Sequence, residues 1–148
     1  MYQGKSEMID IKYNTQLFNF LSKYKWEWFL TLNTEKMNID QVELKLKRFR
    51  DYIRKVKGWD FGYMGVFNWI SNPHIHLLVN ISTEPTEQDI KDISKYWNDL
   101  SKRELIMKPI YYLNGLLEYI SYQNLPNGHF DLVQPIGVKG FLKKYEIE

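Results

Sequence analysis

The residues with the clearest capacity for chemistry are two histidines, His74 and His76, which form a His-x-His pair in the apolar stretch HIHLLV. In a β-strand, both imidazoles point to the same face because successive side chains alternate between faces. Imidazole nitrogens bind divalent cations, whereas burying two such rings without partners is costly. The pair therefore predicts either a metal site or a hydrated sheet face that carries two histidines without a metal.

A tyrosine and a glutamine, Tyr119 and Gln123, form the second group and lie four residues apart near the end of a predicted helix over 112–123. At about 100° per residue, Tyr112, Tyr119 and Gln123 fall on one flank, and Tyr122 faces away from the core. The buried stripe of this helix is expected to contain Leu113, Leu116, Leu117 and Ile120. Tyr119 and Gln123 could thus reach a sheet surface that carries the histidines, although an ordinary aromatic at a helix margin has the same pattern.

Positive charge is concentrated in the segment from Asp40 to Lys57, which has seven cations and three anions, while the net charge of the whole chain is only +2. Such a segment would steer an anionic ligand, or it is simply a solvated helix face. The cations that we select as candidate phosphate contacts lie off the apolar stripe of this helix: Lys45, Lys47, Arg48, Arg50 and Arg54.

The elements that must position these groups follow from periodicity and turn signals. We expect a strand over 26–32, a helix over 40–56, strands over 61–69 and 74–81, a helix from an N-cap at Thr86 to about Lys102, a weaker strand over 105–110 and the helix over 112–123. The second and third strands should form a hairpin, and Pro109 should confine the fourth to an edge. This order predicts an α+β ferredoxin-like sandwich, with a central antiparallel sheet, helices on one face and Tyr119 on an extra helix near the C-terminus.

Composition narrows the class of protein. The 148 residues are 44% hydrophobic and 26% charged, which predicts a single domain over 1–148. Cysteine is absent, so any metal must bind through histidine and oxygen ligands. No apolar stretch approaches the roughly 20 residues that cross a bilayer. We therefore expect a soluble cytoplasmic protein that does not bind membranes.

Three segments in this order resemble the motifs of HUH endonucleases, the family of rolling-circle replication initiators, relaxases and single-tyrosine transposases. They are WFLTLNT at 28–34, NPHIHLLV at 72–79 and LLEYISYQ at 116–123. The resemblance implies that His74 and His76 bind Mg²⁺ or Mn²⁺ and that Tyr119 attacks a phosphate of single-stranded DNA. If the substrate is single-stranded DNA, the basic residues selected above are the candidates for sequence-independent phosphate contacts, because they lie off the apolar stripe.

The third metal ligand differs among HUH proteins. The Tyr-x-x-x-Gln spacing resembles single-tyrosine transposases and some viral initiators, and it implies Gln123. Many initiators instead use an acidic residue on the strand before the histidines, where this chain has Asn68. Tyr122 stands where initiators usually have a lysine, so that charge is absent or comes from another residue, such as Lys102, Arg103 or Lys108.

The resemblance leads to an expected function and two alternatives. We expect a nickase that initiates rolling-circle replication of a plasmid or virus by cutting and rejoining single-stranded DNA at an origin or hairpin. A host helicase and polymerase would be partners, because the sequence has no Gly-x-x-x-x-Gly-Lys phosphate loop. The sequence leaves open whether the protein acts as a homodimer. The alternatives are a single-tyrosine transposase and a non-catalytic module that binds single strands through aromatic stacking.

Overall fold

The computed structural model describes residues 18–19, 21–68, 74–122, 132–136 and 142–147, with backbone only at 39, 66–68, 119–122, 132–136 and 142. The strands are β1 (Trp28–Asn33), β2 (Phe61–Asn68), β3 (His74–Ile81), β4 (Leu105–Pro109) and β5 (Leu132–Ile136). The helices are α1 (Ile39–Asp51), which continues as a π-helical turn (Tyr52–Val56), α2 (Glu87–Ser101) and α3 (Leu113–Tyr122), followed by a 3-10 turn (Leu142–Tyr145). Among the described residues, no helix has the length and apolar character needed to cross a bilayer.

The five strands form one antiparallel sheet in the order β4-β1-β3-β2-β5. The predicted α+β class, the antiparallel sheet and the β2-β3 hairpin are confirmed. The first four strands have the order of a ferredoxin-like sandwich, with which the structure is compatible. The fifth strand, β5, was not predicted, and it extends the sheet beyond β2.

Helices α1 and α2 cover one face of the sheet. Each begins with a capping box: Asn38 and Gln41 bond reciprocally at α1, and Thr86, the predicted N-cap, does the same with Asp89 at α2. Their buried residues pack on alternate strand residues in one large core. At its centre the indole of Trp97 is fully buried and meets Phe49 edge to face, with ring centroids 5.9 Å apart.

The other face of the sheet is covered by α3 and by residues that precede β1. Leu117 of α3 is fully buried against Met64 of β2 and Leu78 of β3, together with Leu21 and Trp26. The predicted placement of helices on one face therefore holds for α1 and α2, while α3 lies on the opposite face. Burial on both faces explains why β3 reads as a nearly continuous apolar run.

An ionic cluster joins the end of the π-helical turn to the start of α2. The ammonium group of Lys57, whose side chain is 15% exposed, lies 3.0 Å from a carboxylate oxygen of Asp89 and 2.9 Å from one of Asp92. The backbone hydrogen bond from Thr86, followed by Lys57, lowers the pKa of Asp89. A hydrogen bond from Gln88, followed by Lys57, lowers the pKa of Asp92, and the bond to Asp92 raises the pKa of Lys57.

These shifts predict that Lys57→Met destabilises the fold in a pH-dependent way. Carboxyl groups with a lowered folded pKa contribute stability above their unfolded pKa of about 3.9, and that contribution is lost as pH falls through the folded value. The raised pKa of Lys57 makes its contribution present below about pH 10.4 and lost as pH rises through the folded value. The difference in free energy of unfolding between wild type and variant should therefore be largest near neutral pH and shrink below about pH 4.

Urea titrations at pH 3, 5 and 7 measure this difference. Lys95→Met is the matched control, because Lys95 bonds Asp99 within α2 but is 75% exposed, and such pairs contribute little. A Lys57 difference that stays constant from pH 7 to pH 3 would contradict the role of the cluster.

Candidate metal and nucleic-acid site

The register of the three central strands gathers polar residues on the sheet face that α3 covers. His74 lies opposite Asn33 of β1 and Asn68 of β2, and His76 lies opposite Thr31. Directly opposed residues of antiparallel strands share a face. The two histidines therefore sit in the middle of a polar patch on β3, as the His-x-His spacing predicts.

The two imidazoles converge. Their Nε2 atoms are 2.9 Å apart, and their ring centroids are separated by 4.4 Å at an interplanar angle of 68°. This distance suits a hydrogen bond between a protonated and an unprotonated nitrogen. It also suits two adjacent ligands of an octahedral cation, which at roughly 2.1 Å from the ion lie about 3.0 Å from each other. The distance between the two nitrogens is thus compatible with a divalent cation, provided that neither Nε2 carries a proton.

His76 is held in the neutral form that metal binding requires. His76 is only 8% exposed, and its ring stacks on that of Phe29 with the ring centroids 5.0 Å apart. Its Nδ1 lies 3.3 Å from Oγ1 of Thr31. Burial, and then the neighbouring His74, lower the pKa of His76 to about 3. When Nδ1 of His76 donates to Thr31, the lone pair of Nε2 points towards His74. The contact with Thr31 thus fixes the orientation of the ring, as hydrogen-bond partners of metal-binding histidines commonly do. A hydrated sheet face is a poor description of so buried a ring.

The third ligand stays a prediction. Gln123 lies outside the described residues, and the side chain of Asn68 is not described, although its backbone is directly opposite His74. The described residues contain no group of three or more His, Cys, Asp or Glu side chains able to hold one ion.

Helix α3, which contains Tyr119, packs on the same face of the sheet as the histidines. Leu117 packs on Leu78, which is two residues after His76 and therefore on the same side of β3. Leu113 and Leu116 are partly buried in this cluster, as the helical pattern predicts. The side chain of Tyr119 is not described. The tyrosine that the pattern placed on the same flank, Tyr112, precedes the helix and is 78% exposed.

A pocket beside His74 contains residues that the sequence pattern did not select. It is open, has a volume of about 280 Å³ and is lined by Thr31, Asn33, His74, Glu104 and Ile106. Glu104 and Ile106 lie just before and within β4, where the strand alternates between its two faces. Leu105 and Met107 are buried, whereas Ile106 and Lys108 are exposed. The short, proline-containing strand gave too weak an alternation for us to assign its outer face.

The candidate DNA-binding cations lie on α1 and on the π-helical turn that follows it, across the sheet from the histidines. Lys47 and Arg48 are exposed, whereas Lys45 donates to the carbonyl oxygen of Leu100 at 3.0 Å near the end of α2. Arg50 hydrogen-bonds the hydroxyl of Tyr63.

Arg54, the last of these cations, lies in the π-helical turn that follows α1. Its Nε and Nη2 atoms are buried without a hydrogen-bond partner. Thus only two of the five are exposed, the other three are partly buried, and none of them shares the histidine face.

Comparisons with known proteins do not identify this chain. No protein family, curated protein or solved structure matches it.

The converging imidazoles predict a divalent-metal site that single substitutions remove. His74→Ala and His76→Ala should each abolish Mn²⁺ binding measured by isothermal titration calorimetry, because one imidazole alone is a weak monodentate ligand. Gln123→Ala should weaken binding, and Asn68→Ala should weaken it less. A larger loss for Asn68→Ala would assign the third ligand to β2, and unchanged binding in both histidine variants would exclude the site. Circular dichroism of each variant checks that the fold is retained.

The basic surface of α1 predicts a salt dependence of DNA binding. Affinity for single strands falls as salt rises, and each lost phosphate contact should make the log–log plot of affinity against salt less steep by about 0.7. Lys47→Gln and Arg48→Gln test the two exposed cations, and Lys95→Gln on α2 is the control for a general change in charge. If the slopes of the first two variants equal that of wild type, DNA does not cross α1, and the segment is a solvated helix face.

Proposed function

We propose that this protein is a metal-dependent endonuclease and strand transferase of the HUH kind that nicks and rejoins single-stranded DNA through a 5′-phosphotyrosine. The observation that carries the proposal is the 2.9 Å approach of the His74 and His76 Nε2 atoms on the sheet face covered by α3. The motif resemblance assigns Tyr119, on that helix, as nucleophile. Initiation of rolling-circle replication of a plasmid or virus is the role we favour.

His74 and His76 would hold the cation, with Gln123 or Asn68 as the third ligand. Bound Mg²⁺ or Mn²⁺ would act as a Lewis acid on a phosphate oxygen and favour the phenolate of a nearby tyrosine. The burial of His76 and its contact with Thr31 keep one imidazole neutral and fixed in orientation at physiological pH. The protein's contribution is therefore a preorganised pair of ligands on a rigid strand.

The reaction conserves the energy of the phosphodiester bond. The phenolic oxygen of Tyr119 forms a bond to phosphorus while the bond from phosphorus to the 3′ oxygen breaks. The proton lost by the phenol is balanced by the one gained by the leaving oxygen, which becomes a free 3′-OH. Attack of a 3′-OH on the phosphotyrosine reverses the step, so that strands can be rejoined without ATP.

Lys108 is the best substitute for the lysine that initiators have at the position of Tyr122. It is exposed on β4 and lies opposite Phe29, the residue whose ring stacks on His76. Lys102 and Arg103 are less suitable. Lys102 ends α2 in a left-handed conformation, and Arg103 bonds the carbonyl of Lys102 and has a buried Nε. A cation at Lys108 could neutralise part of the phosphate charge.

Transposition is the second candidate function, and the Tyr-x-x-x-Gln spacing favours it. Both functions use the same cleavage chemistry, and the flanking DNA distinguishes them: an origin with a nick site, or element ends with hairpins. For either role we propose the cytoplasm as the place of action. A helicase and a polymerase of the host would be partners in replication.

The proposal predicts that Tyr119→Phe abolishes a covalent protein–DNA adduct while folding, metal binding and DNA affinity persist, because only a hydroxyl is removed. The assay incubates the protein and Mn²⁺ with single-stranded oligonucleotides from DNA flanking the coding region, labelled at the 3′ end. The 5′-phosphotyrosine retains the 3′ fragment, so the label should migrate with the protein in a denaturing gel. Mass spectrometry of the labelled peptide should identify Tyr119.

Tyr112→Phe and Tyr122→Phe are the matched controls, and both should form the adduct. A nucleotide found on Tyr122 would mean that the phenol reaching the site is not the one the motif assigns. His74→Ala should bind DNA but form no adduct. Binding without any adduct, in Mn²⁺ and for the wild type, would support the non-catalytic module instead.

A further inference from the structure

We propose that the pocket beside His74 binds a guanine base of the single strand, next to the scissile phosphate. The proposal rests on the proposed function, because it assigns a recognition subsite to the same sheet face. Its volume of about 280 Å³ lies just below the roughly 300–1,000 Å³ range of ligand pockets, as suits one base rather than a larger ligand. Its polar and apolar walls come from three different strands, or residues adjoining them.

The two polar groups that select the base are Asn33 and Glu104, held side by side by the sheet. The backbone N–H of Asn33 donates to the carbonyl oxygen of Glu104 at 2.9 Å, at the point where β1 meets the start of β4. Both residues line the pocket. A backbone hydrogen bond between the last residue of β1 and the residue that precedes β4 therefore fixes the two residues next to each other.

The hydrogen-bonding capacity of each group is defined. Oδ1 of Asn33 accepts from the backbone N–H of Glu35 at 2.9 Å, which leaves the Nδ2 amino group as the donor of this side chain. An ionised Glu104 offers two acceptor oxygens and no donor. The pocket therefore presents one donor next to a pair of acceptors.

Guanine is the base whose Watson–Crick edge complements this set. Its O6 accepts, and its N1–H and N2 amino group both donate, so Nδ2 of Asn33 can bond O6 while the Glu104 carboxylate receives two hydrogens. Cytosine and adenine offer a single amino donor next to a ring nitrogen that would face the carboxylate. Thymine has one N–H between two oxygens, which the carboxylate would repel. The edges of bases are open to this type of recognition in single strands.

The remaining walls fit a base rather than a second ion. Ile106 is 41% exposed and gives the pocket an apolar surface against which a planar ring can pack. Glu104 does not combine with His74 and His76 into a three-residue metal group in the described part of the chain. Its carboxylate is thus available to the nucleotide, while His74, which belongs to both the pocket and the imidazole pair, sets the base beside the phosphate held there.

The test is a selection for binding that needs no cleavage. Single-stranded oligonucleotides with a randomised central region are captured by the intact protein in EDTA, and the bound fraction is sequenced. Wild type should enrich guanine at one position, with a preference of about 5- to 150-fold over the other bases, the range expected for a bidentate contact. Glu104→Gln should lose most of this preference, because an amide has one acceptor where the carboxylate has two.

Asn33→Asp is the sharper variant. It keeps an oxygen that accepts from Glu35 but replaces the amino donor by a second acceptor, which repels O6. It should also lose the guanine preference. Glu43→Gln makes the same chemical change as Glu104→Gln on the exposed surface of α1 and should retain the preference of wild type.

Adduct sequencing with Mn²⁺ then gives the position of the selected guanine relative to the nick. The subsite is supported if the selected guanine lies within one or two nucleotides of the nick and both pocket variants reduce the preference for it. No enriched base, an enrichment unchanged in Glu104→Gln and Asn33→Asp, or a guanine far from the nick would overturn it. These outcomes are separable from failure of the proposed function, which would appear as guanine selection without any adduct.

Discussion

The register of β3 between β1 and β2 is the constraint on which the rest of the site depends. Strand β3 is buried on both faces, with Ile75 and Leu77 against α1 and α2 and with His76 and Leu78 on the face of α3. A slip of one residue would exchange these two sets, and both imidazoles would enter the large apolar core. The same packing that stabilises the sandwich thus fixes the direction in which the histidines point.

Burial of His76 has a cost that its neighbours offset. A desolvated imidazole must find partners, and this one has Phe29 against its ring, Thr31 at Nδ1 and His74 at Nε2. The result is a ring with one orientation and one charge state. A site assembled on a central strand, with its partners on the adjacent strands, needs little rearrangement to accept a ligand.

Local patterns in the sequence were sufficient to predict the helices and strands but not which face of the sheet each helix covers. The hairpin, the N-cap at Thr86 and the buried stripe of α3 through Leu117 follow from turn chemistry and periodicity, and the structure confirms them. Periodicity states which side of α1 is apolar but not which face of the sheet that side meets, so the separation of Arg48 from the histidines could not be foreseen. The pocket was missed for a related reason, since Glu104 and Asn33 are far apart in sequence and meet only through strand pairing.

Strand β4 has a further consequence for how copies of this protein can meet. Among the described residues it is an edge strand of five residues, and since Glu104 and Ile110 bond towards β1, its odd-numbered residues direct their backbone groups outward. One of these is Pro109, which has no N–H to offer, so only Leu105 and Met107 could donate to an added strand. Such an edge is a poor template for pairing with a strand of a neighbouring molecule. The polar patch next to β4 is therefore protected from being blocked by edge-to-edge aggregation.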